Sequence, residues 1–124
     1  MDRILMSNLV KWKQSASRKP LILEGARQVG KTYLLKAFGS EQYKNTVYIN
    51  FDNIDPDIRQ LFEGAIQPTR ILEFLAIKFS MAINSADTLI VFDEIQELPR
   101  ALSSLKYFAE EAPEYHVVAA GSLL

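Results

Sequence analysis

The chain of 124 residues contains no cysteine, a single histidine and almost no net charge. Without cysteine, disulfide bonds, thiolate zinc sites and catalysis by a thiol are excluded. A formal net charge of −1 gives no argument for a broad, electrostatically driven nucleic-acid surface. No apolar run approaches the length of a membrane span, and Ser7 and Asn8 interrupt the apolar residues of the N-terminal segment. These absences predict a soluble, cytoplasmic protein.

Apolar residues make up 48% of the chain, which is enough for one domain with a hydrophobic core. Short apolar stretches alternate with helical patterns. The predicted strands cover 21–24, 45–53, 88–94 and 116–122, and the predicted helices cover 2–16, 31–38, 55–64, 69–84 and 99–111. Gly39 is expected to end the second helix, and Thr69 to cap the fourth. Alternating strands and helices with wholly apolar strands predict an α/β fold with a parallel sheet covered on both faces.

A phosphate-binding motif follows the first predicted strand. Gly25 to Thr32 reads GARQVGKT, which matches the P-loop spacing G-x-x-x-x-G-K-[ST]. Glycines allow the backbone N–H groups to form a concave nest for phosphate oxygens, and the following helix adds its partial positive end. Lys31 would reach the β- and γ-phosphates, and the Thr32 hydroxyl would ligate Mg²⁺. The candidate nucleotide-binding residues form one run: Gly25, Ala26, Arg27, Gln28, Val29, Gly30, Lys31, Thr32 and Tyr33.

Acidic and polar residues end the third and fourth predicted strands. Asp93 and Glu94 follow the apolar run LIVF, at the sheet edge where open α/β folds bind ligands. Asp93 would hold Mg²⁺ through water, and Glu94 would act as general base on the attacking water. Ser122 could orient that water, although an ordinary strand-end turn explains Ser122 equally well. Gln96 either contacts Glu94 or has no role, and for His116 a structural role is favoured.

Four blocks of the sequence carry a family resemblance: GARQVGKT, VYINFDN, IVFDEIQELP and SLKYFAEEAPEYHVVAAGSLL. Together they resemble the prokaryotic AAA+ type ATPases, whose P-loop module is usually followed by a C-terminal domain of unknown function. The family pattern falls here on the glycines, Lys31 and Thr32 of the P-loop, on the Asp93–Glu94 pair and on Ser122. The catalytic residues it implies are Glu94, Lys31 and Ser122; the metal-binding residues are Thr32 and Asp93; the cofactors are ATP and Mg²⁺.

The resemblance also implies an architecture and a truncation. It implies a three-layer α/β/α P-loop fold with strand order 5-1-4-3-2, of which the chain would contain 1-4-3-2. Residues 1–19 would form an N-terminal helix and linker, and residues 20–124 a partial AAA+ domain. Strand five, the helical lid and the C-terminal domain would follow Leu124. Strand one would then be an unpaired apolar edge, prone to aggregation or self-pairing.

The function that the resemblance implies is Mg·ATP binding, with hydrolysis of ATP to ADP and phosphate in the intact protein. Such machines typically receive a stimulating arginine from a partner subunit or by self-association, so weak or absent turnover is expected for this chain alone. Two alternatives stay open: a nucleotide-dependent binding switch without turnover, and a P-loop small-molecule kinase. No membrane is indicated as a partner. The sequence has no basic stripe interleaved with aromatic residues, so it neither indicates nor rules out nucleic acid.

Overall fold

The computed structural model describes residues 3–24 and 30–122, which contain five α-helices and four strands. The elements follow in the order α1 (Arg3–Gln14), β1 (Leu21–Glu24), α2 (Lys31–Gln42), β2 (Asn45–Asn50), α3 (Pro56–Glu63), α4 (Pro68–Lys78), β3 (Thr88–Asp93), α5 (Pro99–Glu111) and β4 (His116–Gly121). Short 3₁₀ turns at Phe51–Asn53 and Ile95–Glu97 follow β2 and β3. No helix of these two ranges combines the length and the hydropathy that crossing a bilayer requires.

The four strands form one parallel sheet in the order β1-β4-β3-β2. Every residue of β3 and β4 is buried, as expected for central strands covered on both faces. One apolar cluster joins the sheet to α1 and α2, and a second joins the opposite face to α3, α4 and α5. The predicted α/β class, its three layers and the strand order 1-4-3-2 are therefore confirmed.

Alternation along the central strands divides the core between the two faces. On β3, Leu89 and Val91 face the cluster of α1 and α2, whereas Ile90 and Phe92 face the other helices. The Phe92 ring lies 5.4 Å from Phe51 and 5.9 Å from Phe62, both edge to face. This aromatic contact fixes β3 against the layer of α3, α4 and α5.

The outer strand β1 pairs only with β4 among the described strands, so its other edge has no partner there. Leu21 and Leu23 pack on the cluster of α1 and α2. Ile22 points to the opposite face and is 41% exposed. The division of the chain at residues 19 and 20 remains a prediction, while α1 itself packs on α2 and buries Leu9 completely.

Gly39 does not end the second helix, contrary to the prediction. Helix α2 continues through it to Gln42, and Gly39 is buried within the helix. A Cβ at this position would lie 2.9 Å from Thr46 Cγ2 and closer still to Thr46 Oγ1. The glycine therefore permits α2 to pack closely on β2, and the helix ends three residues later.

Helix α4 differs from its prediction at both ends. Pro68 is its first residue, because proline lacks the N–H that a first-turn position leaves unpaired, and Thr69 does not cap it. The helix ends at Lys78 instead of near residue 84. Ser80 adopts a left-handed φ of 50°, its N–H bonds to Ile77, and the next N–H, of Met81, bonds to Ala76. This is the Schellman motif, in which glycine usually takes the left-handed position. Because a serine takes it here, the sequence did not indicate that the helix ends at this point.

The predicted strands end early for a similar local reason. Strand β2 ends at Asn50 rather than 53, because the Asn50 side-chain oxygen accepts the Asp52 N–H at 2.9 Å and turns the chain into a 3₁₀ helix. Strands β3 and β4 each end one residue before their predicted limits. Helix α5, from Pro99 to Glu111, and the end of α3 before Gly64 agree with the prediction.

An aromatic cluster around His116 fastens α1 to the amino-terminal edge of the sheet. The Trp12 ring lies 5.8 Å from the His116 ring, and the Tyr43 hydroxyl lies 2.5 Å from His116 Nδ1. Lys13 Nζ donates to the Gln42 carbonyl at 2.6 Å, which joins α1 to the end of α2. Burial raises the pKa of Tyr43, so its hydroxyl stays protonated and forms a neutral hydrogen-bonded pair with the imidazole.

Replacing Gly39 by alanine tests the close packing of α2 on β2. Alanine favours a helix over glycine by about 1 kcal/mol. The clash with Thr46 should outweigh that gain and lower the free energy of unfolding by about 1–3 kcal/mol, as read from urea denaturation. Adding Thr46→Ala should recover part of the loss. Exposed Ser40→Ala on the same helix is the matched control, and a Gly39→Ala protein more stable than wild type would contradict the packing.

The buried imidazole predicts a specific loss of stability in acid. Burial, and then the positive charges of Arg18 and Lys13, lower the pKa of His116 to about 4. Below about pH 6.5 the His116 imidazole is protonated in the unfolded chain, whereas in the folded chain it stays neutral until about pH 4. Stability is therefore lost as the pH falls through this window. The loss amounts to at most about 3 kcal/mol.

Urea midpoints at pH 7, 5.5 and 4 measure this effect in wild type and in His116→Gln, whose side chain does not titrate. The carboxylates of the chain contribute equally to both proteins, so the difference between the two profiles isolates the histidine. Parallel profiles would show that His116 has the same pKa in the folded and unfolded chains.

Candidate functional site

The carboxyl ends of all four strands meet at one edge of the sheet. Glu24 at the end of β1 is paired with Gly121 at the end of β4, and Asn50 at the end of β2 is paired with Asp93 at the end of β3. Helix α2 begins at Lys31, at the same edge. Five of the predicted nucleotide-binding residues lie outside the described residues: Gly25, Ala26, Arg27, Gln28 and Val29.

Gly30 is the turn through which the chain enters α2. Its φ of 105° lies in the region that residues with a side chain rarely adopt, although a Cβ there would meet no atom within 4 Å. The backbone angle, rather than lack of space, therefore requires glycine. The Gly30 carbonyl accepts the first helical bond from Leu34 at 2.7 Å, so the N–H groups of Lys31 and Thr32 are first-turn donors without helical acceptors.

A hydrogen bond across the fold joins the start of α2 to the end of β3. The Thr32 hydroxyl donates to Asp93 Oδ2 at 2.7 Å, between residues 61 positions apart in the chain. Asp93 is only 4% exposed. Its other oxygen, Oδ1, accepts the Glu94 N–H at 2.9 Å. The carboxylate thus lies in a fixed orientation beside a hydroxyl whose lone pairs remain available for a ligand.

Tyr48 is a site residue that the sequence reading missed. Its hydroxyl donates to Asp93 Oδ2 at 2.5 Å, the same oxygen that accepts from Thr32. Burial, and then the hydrogen bond to Asp93, raise the pKa of Tyr48, so the hydroxyl remains a donor at neutral pH. The signal lay in the strand pairing: Tyr48 is opposite Val91, two residues before Asp93, and therefore shares its face of the sheet.

Glu94 lies just beyond β3 rather than within it. Its backbone is left-handed, with φ 51° and ψ 45°, an uncommon conformation for a residue with a long side chain. Gln96 Nε2 donates to Glu94 Oε1 at 2.9 Å, so the contact that the sequence left open is present. Gln96 Oε1 is buried and has no hydrogen-bond partner among the described residues. The turn and the amide together hold Glu94 half-buried at the sheet edge.

The remaining predicted residues lie along the same edge, with one exception. Lys31 is half-buried in the first turn of α2, and Ser122 is half-buried directly after β4. Tyr33 is 66% exposed. His116 begins β4 and lies at the opposite, amino-terminal edge of the sheet. The structure thus brings Thr32, Asp93 and Tyr48 into direct contact.

The oxygen atoms at this edge fit a hard divalent cation. Thr32 and Asp93 supply a hydroxyl and a carboxylate, the ligand types that Mg²⁺ prefers. Within residues 3–24 and 30–122 no group of three or more His, Cys, Asp or Glu side chains could hold a metal alone. Mg²⁺ is commonly held by one or two protein oxygens together with substrate phosphates, so this sparse ligand set suits a metal that arrives with a nucleotide.

Comparison with known proteins points to one family. A family model described as an AAA domain matches residues 17–124. No curated protein and no solved structure gives a match. The model covers far more than half of the chain, and the parallel sheet with strand order 1-4-3-2 agrees with it. The chain therefore belongs to the AAA family of P-loop ATPases, as a nucleotide-binding, ATPase-like module.

Proposed function

We propose that this chain is the Mg·ATP-binding module of an ATPase that hydrolyses ATP to ADP and phosphate. The hydrogen bond from the Thr32 hydroxyl to the buried Asp93 carboxylate carries the proposal. It joins a helix N-terminus that follows a glycine turn to an acidic strand end, which are the two halves of a nucleotide site in a P-loop protein. The family match supports the same reading.

The first turn of α2 binds the phosphates in this proposal. Its unpaired N–H groups and the helix dipole favour an anion at this end. Lys31 adds a positive charge beside the β- and γ-phosphates. Thr32, and Asp93 through water, would hold Mg²⁺, and the ion would supply positive charge that offsets the negative charge of the phosphate oxygens.

Hydrolysis in this proposal requires a positioned water and a base. Glu94 accepts a proton from the water, whose oxygen forms a bond to the γ-phosphorus as the bond to the β–γ bridging oxygen breaks. Gln96 holds Glu94 through its amide, and Ser122 orients the water from the end of β4. An arginine from a partner subunit would raise the rate by several orders of magnitude, so turnover by the chain alone should be slow.

Nucleotide binding is tested by the melting temperature of wild type and of Lys31→Ala with Mg·ATP. A ligand that binds only the folded state stabilises it by about 2.7 kcal/mol at a hundredfold excess over Kd. Wild type should therefore melt several degrees higher with Mg·ATP, and Lys31→Ala should not. Lys44→Ala, an exposed lysine just before β2, is the control and should respond as wild type does. Equal stabilisation of the two variants would place the nucleotide elsewhere.

Hydrolysis is tested by single-turnover assays with protein in excess over labelled ATP, because these detect slow chemistry. Glu94→Gln keeps the shape of the side chain and removes the base, so the rate should fall by at least about a hundredfold while Mg·ATP binding persists. The neighbouring exposed Glu97→Gln is the control. Tight binding with no hydrolysis by wild type, even in the full assembly, would favour a nucleotide-dependent switch over an ATPase.

A further inference from the structure

One oxygen of Asp93 has two hydroxyl partners from different parts of the fold. Oδ2 accepts from Thr32, on α2, and from Tyr48, on β2. With the Glu94 N–H on Oδ1, the buried carboxylate has three donors. The proposed binding and hydrolysis of ATP assign no role to the Tyr48 contact.

The position of Tyr48 is specified by the strand register. Tyr48 is paired with Val91, and in a parallel sheet paired residues point to the same face. Asp93 is two residues further along β3 and shares that face. The phenol ring therefore extends along the sheet toward the carboxyl edge, and its hydroxyl reaches the carboxylate above it.

Helix α2 covers the ring from the other side. Lys36 Nζ lies 4.4 Å from the centroid of the Tyr48 ring, a cation–π distance. Lys36 is one helical turn after Thr32, so the same face of α2 contacts both the ring and the carboxylate. Tyr48 is thus held between the sheet and α2, and its hydroxyl has little freedom to leave Asp93.

We propose that Tyr48 is a positioning residue for the metal: it orients the Asp93 carboxylate beside Thr32 and so determines the affinity of the site for Mg²⁺. This inference rests on the proposed function and adds a residue to it. Partners that hydrogen-bond to metal-binding groups fix their orientation, and removing one typically weakens metal binding 10–100-fold. Without the phenol hydroxyl, Asp93 Oδ2 keeps only Thr32, and the carboxylate can rotate away from the metal.

The test compares wild type with Tyr48→Phe in the binding of a fluorescent ATP analogue. The affinity for the analogue is measured first in EDTA. Mg²⁺ is then titrated at a fixed, subsaturating concentration of the analogue, which gives a half-saturating metal concentration. We expect Tyr48→Phe to raise that concentration about tenfold while the affinity in EDTA changes less than about twofold, because the Tyr48 hydroxyl donates to the carboxylate rather than to a phosphate.

Tyr43→Phe is a matched control, because it removes a buried hydroxyl with a hydrogen bond of the same 2.5 Å length at the opposite edge of the sheet. It should lower stability without shifting the metal titration. In an Asp93→Asn background, Tyr48→Phe should shift the metal titration less than about twofold, since the group that it orients is gone. If Tyr48→Phe does not fold, Lys36→Gln, which loosens the ring, should shift the titration in the same direction by about twofold to threefold.

The possible failures are distinguishable. An unchanged metal titration in Tyr48→Phe, or a shift equal to that of Tyr43→Phe, overturns the role of Tyr48 and leaves ATP binding intact. An equal loss of affinity in EDTA and in Mg²⁺ also overturns it, because that result assigns Tyr48 to the nucleotide or to the fold. A wild-type chain that binds no nucleotide in either condition overturns the proposed function and, with it, this inference.

Discussion

The rest of the site depends on the burial of one carboxylate, that of Asp93. A carboxylate removed from water requires donors, and Thr32, Tyr48 and the Glu94 N–H provide them. Each donor comes from a different element: α2, β2 and the turn after β3. Satisfying one buried charge therefore fixes the relative positions of these three elements at the sheet edge, before any ligand is present.

The parallel sheet makes this convergence possible. Parallel strands end together at one edge, so residues far apart in sequence meet there without long loops. The phenylalanine cluster around Phe92 anchors β3 on one face, and the close approach of Gly39 to Thr46 brings α2 against β2 on the other. If α2 were displaced outward, Thr32 and Lys36 would both leave their partners, so the packing at Gly39 and the geometry at Asp93 are linked.

Periodicity predicted the α/β class, motif spacing predicted residues that lie at the carboxyl edge, and the family resemblance implied the strand order. They failed where a tertiary contact or a single backbone angle decides the structure. Gly39 is a residue type that commonly ends helices, but it lies inside α2 and allows close packing on Thr46. Ser80 takes the left-handed conformation that ends α4, although no glycine is present there. In the sequence, Tyr48 looks like any aromatic residue of a β-strand. The pairing of β2 with β3 places it on the face of Asp93, and its hydroxyl contacts that carboxylate.

The two edges of the sheet use tyrosine in opposite electrostatic settings. At the amino edge the Tyr43 hydroxyl is hydrogen-bonded to an imidazole whose lowered pKa keeps it neutral at physiological pH, and Trp12 of α1 packs against that imidazole. At the carboxyl edge Tyr48 donates to a group of the type that carries negative charge at neutral pH. A neutral pair can be buried from all sides, whereas a buried carboxylate attracts positive charge, and the first turn of α2 contacts this carboxylate through Thr32. The same residue type therefore has a structural role at one edge and, in the proposed function, supports a metal site at the other.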